Sequence, residues 1–274
     1  MILRNNIKKI ILIIICLVII LVPVIYYYLN RTERCLTNQT ISTNDVILTS
    51  CGTEDLGEVV SKARTAIVYI TGRRTSTRGQ SSDPIIFAPP ITQTGDKMGS
   101  GIIIDQDGYI ITNYHVIAET TDLKIKLFNE PDRTYSCKII ETLPDKDLAI
   151  IKINTGYYLP VATIGNSDMQ EVAEEVLAIG CPFSLEQSVS HGIISDLKRT
   201  VTIEGRKYID LIQTDAVINS GNSGGALLNM DGEVIGINVA IYAPTRVYCG
   251  VGFAIPINQA KLLIMKIKYL KGES

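Results

Sequence analysis

Short hydrophobic runs separated by turn residues recur along most of this chain, and this pattern limits its fold more than any other feature. The runs are bounded by glycine, proline, asparagine or aspartate and repeat at intervals of about 8–12 residues. Such spacing is typical of an all-β barrel or sandwich and not of alternating strands and helices. We predict strands at residues 66–70, 101–104, 109–112, 123–128, 136–140, 148–153, 176–179, 188–194, 211–214, 225–229, 234–240 and 252–255.

The C-terminal tail has a different periodicity from the strands. Between Ile257 and Leu270, hydrophobic residues recur at helical spacing with lysines between them, which predicts one amphipathic helix packed on the β-rich domain. Residues 72–98 are instead rich in glycine, serine, threonine, proline and arginine, and they predict a long loop. The predicted fold class is therefore all-β, closed by a C-terminal helix.

A charge-free hydrophobic segment, residues 10–29, lies near the N-terminus. A helix of about 20 residues spans about 30 Å, which matches the hydrocarbon core of a bilayer. Tyrosines, which favour the membrane interface, stand at the end of the segment. A cleaved signal peptide, the alternative, would have a shorter hydrophobic region of about 7–15 residues followed by small residues, so we favour a retained transmembrane anchor.

The charges on the two sides of this segment predict its orientation. Three basic residues before it place the N-terminus in the cytoplasm, although Arg31 and Arg34 on the other side weaken this bias. We therefore predict a single-pass protein of the cell membrane, with residues 1–9 in the cytoplasm, residues 10–29 as the anchor and residues 30–55 as a linker. The β-rich domain would lie on the extracytoplasmic side.

Residues 221–225, Gly-Asn-Ser-Gly-Gly, are the most informative about chemistry. A nucleophilic serine needs close approach of the substrate backbone, and it needs N–H groups aimed at the oxyanion that forms. Flanking glycines allow unusual backbone angles and remove side-chain bulk. Ser223 is therefore a candidate nucleophile, and a glycine-rich turn between two strands is the alternative interpretation.

A serine nucleophile also needs a base, and the chain contains only two histidines. His115 follows a predicted strand and is expected at the rim of the β structure, whereas His191 lies within a strand, where a structural role is more common. The imidazole needs a carboxylate that orients it and stabilises its cation. Asp147 immediately precedes a hydrophobic strand and is favoured over Asp145, which stands beside a proline. The order along the chain is then His115, Asp147, Ser223.

Composition argues against other classes of function. The net charge of −2 gives no electrostatic reason to expect binding of nucleic acid. No CxxC or histidine-rich spacing suggests a metal site, so we expect no metal and no cofactor. Of the six cysteines, Cys16 lies in the predicted anchor, which leaves an odd number that cannot all pair within one chain. A bridge between Cys35 and Cys51 is one weak option.

These segments together resemble the HtrA (Deg) family of trypsin-like serine proteases. The chain contains segments similar to the histidine, aspartate and serine motifs of the family, in the family's order, and to its closing strands. The resemblance covers about residues 56–260, and its motifs are residues 112–117, 147–150, 213–227, 236–238 and 252–256.

The resemblance implies a chymotrypsin-like fold of two six-stranded β-barrels with the active site at their interface. The N-terminal barrel would span residues 56–164 and the C-terminal barrel residues 165–257, and residues 258–274 would form the final helix and tail. The resemblance also implies polypeptide substrates and a homotrimer.

The resemblance further implies a serine-type endopeptidase. His115 would be the general base and then the general acid, and Asp147 would orient it. The backbone N–H groups of Gly221 and Ser223 would form the oxyanion hole. Arg199 would lie in a loop that orders the site, and a solvated arginine is the alternative. An edge strand from residue 236 to 241 would pair with an extended substrate, with contacts from Gly236, Ile237, Asn238 and Val239.

One feature separates this chain from digestive relatives, and two others depart from the HtrA (Deg) pattern. Asn222 stands where digestive relatives have an aspartate that pairs with a newly cut N-terminus, so we do not expect activation by such a cut. The usual family architecture appends PDZ domains, whereas this chain ends at Ser274, and we expect regulation by ordering of loops around the site. Val239 stands where relatives often have threonine, which predicts the loss of a polar support near the triad.

Specificity is predicted from the residues before the oxyanion loop. Val217 and Ile218 are hydrophobic, and no carboxylate stands where a protease specific for basic residues would need one. We expect cleavage after small aliphatic residues with loose selectivity, because a hydrophobic pocket separates aliphatic side chains by only about 1–3 kcal/mol. The predicted function is an anchored endopeptidase that cleaves unfolded or exported proteins in protein quality control. A protease-fold scaffold or chaperone with little turnover, and a narrow signalling protease, are the alternatives.

Overall fold

A computed structural model describes residues 56–74, 96–181, 187–203, 206–239 and 250–272, all of which belong to one unit, Glu54–Ser274. The predicted cytoplasmic segment, anchor and linker, the Cys35–Cys51 option and most of the predicted loop at 72–98 lie outside these residues. None of the helices in the described segments combines the length and the apolar character that a membrane crossing requires.

The strands of the described residues form two closed antiparallel barrels. In the first barrel the strands are arranged in the order β1-β2-β3-β6-β5-β4, and in the second in the order β10-β11-β12-β9-β8-β7. The first barrel comprises β1 (Ile67–Arg74), β2 (Asp96–Asp105), β3 (Tyr109–Asn113), β4 (Thr120–Leu127), β5 (Glu130–Leu143) and β6 (Leu148–Ile153). The second comprises β7 (Glu175–Gly180), β8 (Ser188–Ile203), β9 (Arg206–Thr214), β10 (Ala226–Leu228), β11 (Val234–Val239) and β12 (Gly252–Pro256).

Three α-helices and two 3₁₀ turns connect or close these barrels in the described residues. The helices are α1 (Leu56–Arg64), α2 (Tyr114–Ile117) and α3 (Ile257–Leu270), and the 3₁₀ turns are Pro144–Lys146 and Ser167–Met169. The all-β prediction with a C-terminal helix is therefore confirmed. Helix α1 was not predicted, because its hydrophobic face is short and only Val59 is buried on it.

Each barrel has its own hydrophobic interior, and a third cluster joins the two barrels to α3. The interior of the first barrel includes Val68, Ile103, Ile110, Ile125 and Ile151, and that of the second includes Val176, Ile194, Ile212, Leu227 and Ile235. The joining cluster contains Ile111 and Ile150 from the first barrel, Leu177 and Ile237 from the second, and Leu263 and Ile267 from α3. Strands that face both an interior and this cluster, such as β6, are buried on both sides and are almost continuously hydrophobic.

Several strands extend beyond the predicted ranges. β1 continues to Arg74 and β2 begins at Asp96, so both ends of the predicted loop at 72–98 are strand instead. β5 begins at Glu130 and β8 continues to Ile203, and their additional residues are mostly polar and are exposed or only partly buried with few exceptions. Hydrophobic alternation cannot reveal such extensions, because both faces of the projecting part contact solvent. The extended β8 pairs with β9, so the pair forms a long hairpin that includes Arg199 and Arg206.

Candidate active site

His115 lies on α2, the short helix that follows β3 directly. Its ring Nδ1 lies 2.6 Å from Oδ2 of Asp147, and its backbone N–H donates to Oδ1 of the same carboxylate over 2.9 Å. The Asp147 side chain is fully buried, whereas 38% of the His115 side chain is exposed. The geometry therefore leaves one edge of the imidazole accessible while the other edge is fixed by a buried acceptor.

Asp147 is held by its backbone as well as by its carboxylate. It follows the 3₁₀ turn Pro144–Lys146 and has a left-handed conformation with φ of 54°, which aspartate tolerates better than most residues. Its carbonyl accepts hydrogen bonds from the Tyr114 N–H over 3.0 Å and from Asn113 Nδ2 over 3.2 Å. The preference for Asp147 over Asp145 agrees with this arrangement, because Asp145 is exposed on the turn.

The charge state of Asp147 is set by opposing effects. Burial acts to raise the pKa of its carboxyl group, but hydrogen bonds from His115, the charge of His115 and the charge of Arg206 outweigh burial and lower this pKa below its ordinary value. The carboxyl group is therefore an anion at neutral pH, as is needed to stabilise a positive charge that forms on the imidazole.

Ser223 follows a tight turn at residues 219–222. The Asn222 N–H donates to the Asn219 carbonyl over 3.0 Å, and Gly221 has a φ of 100°. A positive φ at the third position of a hydrogen-bonded turn defines type II and favours glycine there. Within the described part of the chain, the Gly221 N–H has no hydrogen-bond partner. The turn therefore presents a free donor next to a serine that is 5% exposed.

Close backbone packing brings the Ser223 turn against the strands that hold His115. A Cβ built on Gly224 would lie 2.2 Å from the Ser100 carbonyl oxygen and 2.3 Å from Thr112 Oγ1. A Cβ built on Gly99 would lie 2.6 Å from Val116, beside His115, and 3.2 Å from the Ser223 carbonyl oxygen. The structure thus brings the elements that bear His115, Asp147 and Ser223 together where the barrels meet.

Comparisons with known proteins agree with this geometry. A family model of the trypsin-like peptidase domain matches residues 99–237, just over half of the chain. The magnetosome formation protease MamE of Paramagnetospirillum magneticum is 41% identical over 218 residues, which cover 76% of this chain and 30% of that protein. The periplasmic serine endoprotease DegP of Escherichia coli K12 is 44% identical over 167 residues, which cover 61% of this chain and 35% of that protein.

A solved structure shows the same similarity in three dimensions. The HtrA-type protease AlgW with a tripeptide has a TM-score of 0.65 and 33% sequence identity over 78% of this chain and 64% of that one. The chain belongs to the HtrA/Deg family of trypsin-like serine proteases. It spans roughly a third of the length of the curated relatives MamE and DegP.

Sequence reasoning missed Ser100, which lies on β2 and is fully buried. Its N–H donates to the Ser223 carbonyl over 2.7 Å, and its hydroxyl donates to the Gly221 carbonyl over 2.7 Å. The same hydroxyl accepts from the Cys181 N–H over 2.9 Å. This serine of the first barrel therefore fixes the turn that positions the candidate nucleophile of this HtrA-type protease. A serine between two glycines in a hydrophobic strand was the available signal.

Sequence reasoning also missed two polar partners of Asp147. Arg206 Nη1 donates to Oδ1 over 2.6 Å, and the Tyr208 hydroxyl donates to Oδ2 over 3.0 Å. Both residues lie on β9, which the hydrophobic pattern places only from residue 211 onward. Val239 is a buried hydrophobic residue, and the polar support from β9 is additional to the one predicted to be lost at that position.

The predicted substrate-pairing edge is wrong for the first residues of β11. Gly236 and Ile237 pair with β10 on one side and with β12 on the other. Asn238 accepts from the Gly224 N–H and donates to the Gly225 carbonyl. Antiparallel pairing on both sides leaves no free edge from 236 to 238, and residues 240–241 lie outside the described part of the chain.

The remaining candidate residues lie in three different environments. Ile218 is buried against Gly252, whose added Cβ would lie 3.0 Å from Ile218 Cδ1. The prediction that Arg199 lies in a loop is wrong, because it pairs with Leu211 within the extended β8. Its Nε donates to Gln213 Oε1 over 2.7 Å. His191 is exposed on β8, 3.5 Å from Glu175, so it is separate from the Asp147 site.

Cys181, whose N–H donates to the Ser100 hydroxyl, is not a competing nucleophile. Burial raises the pKa of its thiol to about 11, so the thiol stays protonated at neutral pH.

Proposed function

We propose that this chain is a serine endopeptidase in which Ser223 is the nucleophile, His115 the general base and acid, and Asp147 the residue that orients His115. The observation that carries the proposal is the 2.6 Å contact between His115 Nδ1 and the buried Asp147 carboxylate, next to the strands that contact the Ser223 turn. An anionic acceptor at Nδ1 holds the ring proton on that nitrogen. Nε2 is then free to accept the serine proton.

The proposed reaction proceeds in two half-reactions. The Ser223 oxygen bonds to the peptide carbonyl carbon while its proton moves to His115, and the imidazolium then protonates the departing amine as the C–N bond breaks. Water repeats the sequence on the acyl-enzyme and releases the acid. We assign the oxyanion hole to the N–H groups of Gly221 and Ser223, and the type II turn with its free Gly221 donor supports this assignment.

The same site is proposed to favour small aliphatic residues before the cleaved bond. Ile218 is an uncharged, buried side chain in contact range of Gly252, and Val217 beside it is also hydrophobic. Neither could pair with a basic substrate side chain. For the substrate backbone, the side of β11 that faces β10 is occupied as far as Asn238. We therefore limit the proposed pairing segment to the part of the predicted edge that begins at Val239.

The proposed setting is the extracytoplasmic side of the cell membrane, with residues 10–29 as a single anchor. The charge-free run supports the anchor, and relatives named periplasmic or magnetosome proteases agree with an extracytoplasmic domain. Unfolded or exported polypeptides are the proposed substrates. Assembly as a homotrimer, and ordering of loops through Arg199, remain proposals from the family resemblance.

Active-site labelling tests the nucleophile assignment. The full chain is treated with a fluorophosphonate probe and, separately, with unfolded casein; Ser223→Ala is expected to abolish both labelling and cleavage. Ser188→Ala, which removes an exposed hydroxyl of β8, is the matched control and is expected to keep both. Equal labelling of the Ser223→Ala chain would contradict the proposal. Labelling without cleavage of casein would favour the narrow signalling protease.

Mass spectrometry of the mature protein tests the anchor separately. A retained anchor predicts that residues 10–29 are present in the mature chain and that the protein stays in the membrane fraction after an alkaline wash. A mature N-terminus near Thr32 would contradict the anchor, while leaving the peptidase assignment untouched.

A further inference from the structure

The Asp147 carboxylate has a donor at every position that its two oxygens offer. Oδ1 accepts from the His115 N–H over 2.9 Å and from Arg206 Nη1 over 2.6 Å. Oδ2 accepts from His115 Nδ1 over 2.6 Å and from the Tyr208 hydroxyl over 3.0 Å. A carboxylate has about four acceptor sites, so none is left for water. The position and charge distribution of this group are therefore set by three side chains.

The donors come from both barrels. His115 and Asp147 belong to the first barrel, whereas Arg206 and Tyr208 lie two residues apart on β9 of the second barrel. Residues two apart point to the same face of a strand, which explains why both reach one carboxylate. Arg206 is the first residue of β9 and pairs with Ile203 of β8. His115, the proposed base, is thus connected through Asp147 to the β8–β9 hairpin.

Arg206 and Tyr208 act on the carboxylate in different ways. The guanidinium of Arg206 places a permanent positive charge beside the Asp147 carboxylate, and 33% of the arginine side chain is exposed. This positive charge partly offsets the negative charge that would stabilise an imidazolium. The Tyr208 hydroxyl donates to the same oxygen as the imidazole. Burial, followed by the Asp147 charge, raises the pKa of Tyr208, so this hydroxyl keeps its proton as a donor.

Given the proposed protease mechanism, on which this inference rests, we propose that Arg206 and Tyr208 are positioning residues of the triad. They hold the Asp147 carboxylate against the imidazole from the second barrel, and Arg206 limits how strongly that carboxylate favours the charged ring. The β8–β9 hairpin thereby contributes to the alignment of His115 through Asp147.

Other charged groups surround the pair but do not contact the carboxylate. Lys97 Nζ lies 3.2 Å from the His115 carbonyl oxygen, away from the ring. Besides Arg206 and Tyr208, the titratable or charged residues on these elements include Lys97 and Asp105 on β2, Tyr114 on α2 and Glu119 after it, Asp145 and Lys146 on the 3₁₀ turn, and Lys207 and Asp210 on β9.

NMR of the imidazole tests this proposal without any need for turnover. The full chain bearing Ser223→Ala and His191→Gln contains a single histidine, whose ring signals are followed as a function of pH. Arg206→Gln is expected to raise the pH midpoint of the His115 titration by about half a unit or more, because a nearby cation that opposes the imidazolium is removed. Tyr208→Phe is expected to raise it by less and to move the hydrogen-bonded Nδ1–H resonance.

Two further variants control for general damage. Lys207→Gln removes the same charge from the exposed residue between the two donors and is expected to leave the midpoint unchanged. Arg206→Lys keeps the positive charge and is expected to recover at least half of the shift. In chains that retain Ser223 and His191, the acid limb of the kcat/KM profile should move by the same amount as the NMR midpoint. Near-ultraviolet circular dichroism confirms that each variant is folded.

Two results would contradict the proposal. In the first, Arg206→Gln and Lys207→Gln both leave the pH midpoint of the His115 titration within about 0.1 unit of the parent. In the second, Arg206→Gln lowers that midpoint. Should Arg206→Gln fail to fold, Arg206→Lys and Tyr208→Phe still decide, since an unchanged Nδ1–H resonance in Tyr208→Phe would contradict a shared oxygen. Failure of the protease assignment would appear instead as missing fluorophosphonate labelling, with the titration unaffected.

Discussion

At the scale of single residues, Asp147 has the most unusual environment in this site. It has a left-handed backbone conformation, a fully buried side chain and four hydrogen-bond donors. Burial of a carboxylate is costly unless it is paired, and here the pairing comes from a histidine, an arginine and a tyrosine. Because these partners favour the anion, the residue links the protonation of the site to the stability of the fold.

Acid unfolding measures this link. The folded-state pKa of Asp147 is depressed, so its contribution to stability is complete above the unfolded pKa of about 4 and is lost as pH falls through the folded value. We expect the free energy of unfolding to decrease more steeply below about pH 4 in the parent chain than in Asp147→Asn. Urea unfolding at a series of pH values measures this. Asp145→Asn, which changes an exposed carboxylate of the same turn, should follow the parent, and parallel curves for Asp147→Asn would refute the link.

At the scale of elements, the turn at residues 219–225 is shaped by contact with β2 and β3. Ser100 bonds to the carbonyls of Gly221 and Ser223, and Gly224 lies against Ser100 and Thr112 with no room for a Cβ. Gly224 is therefore required by the neighbouring strands. Gly224 and Gly225 of this turn also pair with Asn238 of β11, so the proposed substrate edge cannot begin before Val239.

Substitution of Gly224 tests the importance of this contact. Gly224→Ala places a Cβ 2.2 Å from the Ser100 carbonyl oxygen, and we expect a loss of about 3 kcal/mol or more in stability together with loss of fluorophosphonate labelling. Gly156 has nearly the same φ, 83° against 82°, but open space around the added Cβ. Gly156→Ala should therefore cost only about 1 kcal/mol and keep labelling. Equal losses in the two variants would show that backbone strain, and not the close approach, requires glycine at 224.

At the scale of the whole molecule, α3 packs against both barrels. The helix packs its hydrophobic face into the cluster that joins the barrels. Beyond its end, Lys271 Nζ reaches both Asp105 and Asp107 at the β2–β3 turn, over 2.7 Å and 2.9 Å. The Lys271 and Asp105 side chains are each only 13% exposed. Lys271 therefore stabilises the barrel that includes His115 and Asp147.

Two lysines near the end of the chain allow a matched comparison. Lys271→Gln should lower the free energy of unfolding by about 1–3 kcal/mol, because it leaves two carboxylates without their cation in a partly buried site. Lys266→Gln removes the pair with Glu141, where the lysine is 52% exposed, and should cost less than about 1 kcal/mol. Chemical denaturation of the full chain gives both values. A larger loss of unfolding free energy for Lys266→Gln than for Lys271→Gln would contradict the proposed stabilising role of Lys271.

Much of the fold was predictable, because strand positions depend on local alternation between buried and exposed residues. Hydrophobic runs bounded by turns located the strands of both barrels, and helical spacing located α3. The ends of β5 and β8 and the start of β9 were not predictable, because those parts of the strands have no consistent buried face. Helix α1 was missed for a similar reason.

The sequence by itself determined which residues have the chemistry: a glycine-flanked serine, a histidine at the end of a strand and an aspartate before one, in the order of the HtrA motifs. Only the tertiary structure decided what surrounds them. Arg206, Tyr208 and Ser100 reach the site from strands distant along the chain, and β11 gains neighbours on both sides when its barrel closes. Hydrogen bonds between distant segments depend on how strands pair and barrels pack, and local sequence patterns contain no record of that pairing.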